Sequence, residues 1–94
     1  MSATSTDTIR TRVASPLRSY TDGRSVVEAR GTTVRDVLAD LDRRYPGMRF
    51  RMIDEQDRVR THIRLYVDTV PVESLDHRVE RGQTLHLICA LSGG

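Results

Sequence analysis

Apolar and polar residues alternate over residues 8–14, with Ile9 and Val13 on one face and Arg10 and Arg12 on the other. That period of two predicts a half-buried strand. Ser15-Pro16 opens a loop, and Thr21-Asp22-Gly23 reads as a turn. A second strand is predicted over residues 24–29, hairpinned to the first. The period then changes. Val34, Val37, Leu38 and Leu41 recur at i, i+3, i+4 and i+7, the signature of one helix face. Thr33 can cap this helix, with Asp36 near the positive end of its dipole. Tyr45 extends the stripe and Pro46-Gly47 ends it. Residues 48–60 are charge-rich and lack a period, which predicts a long loop or partly ordered excursion pinned by Met48, Phe50, Met52 and Ile53. Alternation returns over residues 61–67, with Ile63, Leu65 and Val67 inward and His62, Arg64 and Tyr66 outward. A turn at Asp68-Thr69 leads to a short strand over residues 70–72. Leu75, Val79 and the turn Glu80-Arg81-Gly82 precede a final strand, 84–89. There Leu85, Leu87 and Cys89 share a face, with His86 and Ile88 opposite.

A lone amphipathic helix needs an apolar sheet face to cover, so this order predicts a two-layer α+β domain. At 94 residues the chain makes one small domain. It buries about 60–65% of its extended surface, enough for a modest core and too little for an enclosed catalytic cavity. The expected organisation is a disordered lead-in at 1–7, a folded domain at 8–89 and a flexible tail at 90–94. With the last strand placed centrally, Ala90 to Gly94 would reach up to about 17 Å from the body.

Charge narrows the classes of partner. The fifteen basic residues are all arginine, set against thirteen acids for a net charge of +2. They are dispersed along the sequence, so no basic stripe is evident and no nucleic-acid partner is expected. No apolar run approaches the ~20 residues of a membrane helix, and the first residues lack a signal-peptide core. A cytoplasmic location without a membrane partner is expected. The absence of lysine removes any side-chain amine for isopeptide chains built on the protein itself.

Most candidate chemistry resolves into ordinary structure. A single cysteine, Cys89, excludes an intrachain disulfide and a thiolate zinc site. A persulfide near the tail is conceivable, but its shared face with Leu85 and Leu87 favours plain packing. His62, His77 and His86 lack metal-ligand spacing. Asp40/Asp42 and Asp54/Glu55 are read as a solvated helix face and a polar loop, with no pocket to shift their pKa values. Arg49, Arg51, Arg58 and Arg60 read as a solvated loop. Asp22-Gly23 and Pro46-Gly47 match no phosphate-binding glycine loop. What remains is Ser92-Gly93-Gly94. Glycine there lacks a Cβ, so such an end can enter a narrow channel, although fixing it costs more entropy than any other residue.

Gly31-Thr32-Thr33-Val34 leading into Val37-Leu38-Asp40-Leu41, then Ile63 to Asp68, Leu75 to Gly82, and Leu87 through Gly94, resemble the β-grasp, ubiquitin-like sulfur carriers of the MoaD/ThiS family. Within that family the likeness is greatest to CysO-type proteins, and it covers residues 8–94. Two positions depart from the usual pattern: Gln83 stands where the family often has aspartate, and Cys89 where it often has proline. The resemblance implies a β-grasp fold, with a mixed four- to five-stranded sheet covered by one main helix. It also implies that the chain is a protein cosubstrate and not an enzyme. An E1-like adenylyltransferase/sulfurtransferase would use ATP to adenylate Gly94, and the carboxylate would become a thiocarboxylate. A sulfur-accepting biosynthetic enzyme would then consume it. No cofactor or metal is expected on the chain. Gly93, Ser92 and Leu91 would line the partner's channel, and Tyr66, His62, His86 and Ile88 form either a partner patch or ordinary scattered surface. The family permits two other uses of the same end: conjugation to lysines of target proteins, or a small subunit of a molybdopterin-synthase-like complex.

Overall fold

The computed structural model describes residues 8–90. Five strands form one mixed sheet: β1 (Thr8–Val13), β2 (Val26–Arg30), β3 (Ile63–Val67), β4 (Val70–Pro71) and β5 (Thr84–Cys89), in the order β2-β1-β5-β3-β4. β5 lies between β1, to which it is parallel, and β3, to which it is antiparallel. Two helices, α1 (Val34–Arg44) and α2 (Met48–Met52), follow β2. This is the β-grasp arrangement, with β5 in the centre of the sheet.

Alternation does what the pattern demands. Ile9, Val13, Val27, Ala29, Ile63, Leu65, Val67, Leu85 and Leu87 are all buried. They meet Val34, Val37, Leu38 and Leu41 from α1 in one cluster, with Tyr45 and Cys89 packed at its margin. Thr33 caps α1 as its position suggests, its hydroxyl accepting from the Asp36 N–H at 3.2 Å. The next two orphan donors of the helix are met from another segment. Val34 N–H donates to the His77 carbonyl at 2.9 Å and Arg35 N–H to the Leu75 carbonyl at 2.8 Å. Burial of Leu75 and Val79 therefore also closes the helix end. Gly31 sits so close to α1 that a Cβ would lie 2.7 Å from Asp36 Cβ and Val37 N.

Five expectations need correction. Residues 15–20 form a short 3₁₀ helix, not an open loop, started by Pro16 and pinned by buried Leu17. Residues 48–52 form α2 rather than a loop. Met48 and Met52, one helical turn apart, both face the core, and Ile53 follows them there. Phe50, expected to pin this segment, is 60% exposed because two residues of helix rotate it away from that face. The Arg60 guanidinium lies 4.6 Å from its ring centroid. His62, assigned to a strand by alternation, stands in the turn before β3.

Asp40 is the fifth correction. It is 5% exposed, not solvated. Its carboxylate accepts the Arg30 N–H of edge strand β2 at 2.9 Å, the Arg44 Nε at 2.9 Å and an Arg43 guanidinium N–H. The carboxylate thus ties α1 to the backbone of edge strand β2. Asp42, its neighbour in the pair, accepts the N–H groups of Gly47 and Arg49 at the start of α2. Beyond α2, Asp54 Oδ1 gathers the N–H groups of Gln56 and Arg58 into a turn. Asp57 bridges Arg35 and Arg49 at 3.2 and 2.9 Å. The charge-rich segment is ordered by these carboxylates, which a search for hydrophobic periods does not detect.

Candidate functional site

The sheet face turned away from α1 holds three of the partner-patch residues, Tyr66, His86 and Ile88. In the β3–β5 register Tyr66 pairs with His86 and Arg64 with Ile88. Directly opposed side chains on one sheet face stand about 4.5–5.5 Å apart at Cβ, so these four are immediate neighbours. Ile88 is 40% exposed, Tyr66 and His86 are half-buried, and His62 is exposed. His62 adjoins the group through the backbone: its carbonyl accepts the Ala90 N–H at 2.7 Å, one step beyond the β3–β5 ladder. Tyr66, His86 and Ile88 therefore share the outer sheet face, while His62 stands in the turn before β3 and adjoins them only through its backbone.

Ala90 is the last described residue. Leu91, Ser92, Gly93 and Gly94, the residues assigned to the tail and to sulfur carriage, lie outside the described residues, as does the lead-in 1–7.

Cys89 faces the core side, opposite Ile63 in the register. Burial pushes its thiol pKa above the ordinary value, with the Arg51 charge opposing. A thiol held protonated at neutral pH is a weak nucleophile. Asp54 lines a groove of about 500 Å³ with His62 and Arg58, but its carboxyl is held below the usual range. The Arg58 N–H is the main cause; burial opposes it, and the Gln56 N–H and the Arg58 and Arg60 charges add to the lowering. A carboxylate stabilised in this way is a poor general base. Among the described residues no three His, Cys, Asp or Glu side chains cluster to hold a metal ion. No helix among them is long and apolar enough to cross a membrane.

A sheet ordered 2-1-5-3-4, gripping one long helix, defines a ubiquitin-like β-grasp protein. Comparison with known proteins is consistent with that class. A chain in the crystal structure of the Amycolatopsis orientalis BexX/CysO complex is 30% identical, with a TM-score of 0.85 over 92% of this chain and 99% of that one. Mycobacterium tuberculosis CysO is 24% identical, with a TM-score of 0.83 over 88% and 99%. SAMP1 of Haloferax volcanii shares the fold at 21% identity, with a TM-score of 0.77 over 93% and 99%. No curated protein matches the sequence significantly. Residues 12–94 match the ThiS family, and the chain belongs to it: a ubiquitin-like sulfur-carrier protein of MoaD/ThiS type, CysO-like in structure.

Proposed function

We propose that this protein is a cosubstrate that carries sulfur on the carboxyl group of Gly94. The observation that carries the reading is the ThiS match extending through Gly93-Gly94, on a fold whose central strand ends at Cys89, with Ala90 hydrogen-bonded to His62 just beyond it. Four residues then separate Ala90 from the reacting carbon, a span of at most ~14 Å. That reach lets the body dock outside a partner's active site while Gly94 enters it.

A carboxylate resists attack until one oxygen is made a leaving group. An E1-like partner would transfer AMP from ATP to the Gly94 carboxylate, releasing pyrophosphate. A sulfur donor would displace AMP and leave a thiocarboxylate, a soft nucleophile that a second enzyme uses to place sulfur on its substrate. The chain supplies the end and the docking surface; nucleotide binding belongs to the partner. Gly93 and Gly94 add no side chain to the channel. Leu91 and Ser92 would line its mouth, and Tyr66, His62, His86 and Ile88 would make the docking contact. The relative in the BexX/CysO complex supports a protein partner of this kind. The likeness to SAMP1, at 21% identity, bears on the fold and not on conjugation to target proteins.

Incubating the protein with ATP, a sulfide source and its activating enzyme should raise its intact mass by the oxygen-to-sulfur difference. Removing Gly94 should abolish that gain. An unchanged mass with a competent enzyme would refute the reading, and higher-mass conjugates on lysines would turn it toward protein modification.

A further inference from the structure

The fold gathers charge that the sequence disperses. Arg10 and Arg12 on β1, Arg30 on β2 and Arg64 on β3 all point to the face away from α1, as the registers require. All four are exposed. The acid among their strand neighbours on that face is Glu28, across from Arg10. Asp68 closes the lower edge, with its carboxylate engaged by the Thr84 N–H at 3.0 Å. The ion pairs of Arg35, Arg43, Arg44, Arg49 and Arg58 with Asp57, Asp76, Asp40 and Asp54 lie off this face. Arg10 and Arg12 have no ion-pair partner among the described residues. Arg64 donates to the carbonyls of Thr61 and Ile63 and has no ion-pair partner among the described residues.

Apolar residues interleave with these cations. Val26 stands across from Arg12 and Ile88 across from Arg64, each 40% exposed. Strands about 4.8 Å apart place Arg12, His86 and Tyr66 in one row across β1, β5 and β3. From this arrangement we infer that the outer sheet face recognises an acidic protein surface, one presenting Asp and Glu side chains around an apolar contact for Ile88 and Tyr66. Guanidinium groups match carboxylates bidentately. Exposed complementary charge mainly sets encounter rate and orientation, and the apolar centre supplies a contact that water does not satisfy. Protein is favoured over nucleic acid because Val26, Ile88 and Tyr66 interrupt the cations, and the overall charge is only +2. The inference rests on the docking role proposed for this face and adds the chemistry of the partner.

The test is an amide-shift titration of the ¹⁵N-labelled full chain with poly-L-glutamate, and separately with a uridine oligonucleotide of equal charge. Each is run at about 50 and 300 mM salt, which shortens the screening length from about 14 to 6 Å. The expected result is shifts at Arg10, Arg12, Arg64 and Ile88 with polyglutamate, lost at high salt. R10E/R12E should weaken the interaction about tenfold, while R51E/R78E, which reverses exposed arginines off this face, should leave it intact. If R10E/R12E fails to give a folded spectrum, R10Q/R12Q should still weaken binding, by a smaller factor. Shifts spread evenly over all arginines, or binding indifferent to R10E/R12E, would overturn the inference. Tighter binding of the oligonucleotide to the same face would overturn it in favour of nucleic acid. None of these readouts involves Gly94, so a tail that takes no sulfur would refute the carrier reading alone.

Discussion

Asp40→Asn probes the least visible element of the fold, the carboxylate that joins α1 to the edge of the sheet. The hydrogen bond from Arg30 N–H to a charged acceptor contributes about 1.5–3 kcal/mol. Arg43 and Arg44 side chains are 76% and 48% exposed, so screening limits each ion pair to about 0.3–0.5 kcal/mol. Asparagine keeps the volume and an acceptor for Arg30 but loses the charge, so the substitution should cost about 1–2 kcal/mol at neutral pH. At ~4–8 °C per kcal/mol, Tm should fall by about 4–16 °C. Burial alone would raise the Asp40 pKa, but the Arg30 N–H and the Arg44 and Arg43 guanidiniums outweigh it and hold the carboxyl below its ordinary range. A depressed folded value means the ionised group stabilises the native state. That contribution is complete above the unfolded value of about 3.9 and is lost as pH falls through the folded value. Urea unfolding followed by circular dichroism should therefore show the gap between wild type and D40N at neutral pH. The gap should close progressively in acid, below about pH 4. A gap of equal size in strong acid, or one under ~0.3 kcal/mol at neutral pH, would refute the assignment.

Three further substitutions test the packing. Gly31→Ala puts a Cβ 2.7 Å from Asp36 Cβ and Val37 N, so α1 must shift and urea unfolding should show a loss of about 1–3 kcal/mol. Met52→Ala empties a fully buried site and should cost about 2–5 kcal/mol. Phe50→Ala, two residues earlier but 60% exposed, should cost about 1 kcal/mol or less, chiefly the contact with Arg60. Equal losses at Phe50 and Met52 would contradict the orientation of α2.

The sheet and α1 were legible because their periods are long and uninterrupted. Ile63, Leu65 and Val67 alternate cleanly, and Val34 to Leu41 repeats over two turns. α2 was not, because Met48 and Met52 supply a single i, i+4 pair among arginines, too little to establish a period. Alternation correctly put Arg64 and Ile88 on one face, but the grouping of Arg10, Arg12, Arg30 and Arg64 depends on strand order. Parallel pairing of β1 with β5 brings together residues far apart in the chain. Asp40 was misread for a related reason: its partner Arg30 N–H exists only at the edge of the folded sheet. Tyr66, His86 and Ile88 share the outer face as alternation implies, whereas His62 stands in the turn before β3 and meets Ala90 only through its backbone carbonyl.

Fragmentation of the intact protein after activation, read by tandem mass spectrometry, would locate the transferred sulfur atom directly. The account predicts that the added mass stays with C-terminal fragments that contain Gly94 but exclude Cys89. Sulfur found on Cys89, or no transfer in the presence of an enzyme that activates a known carrier of this family, would contradict it.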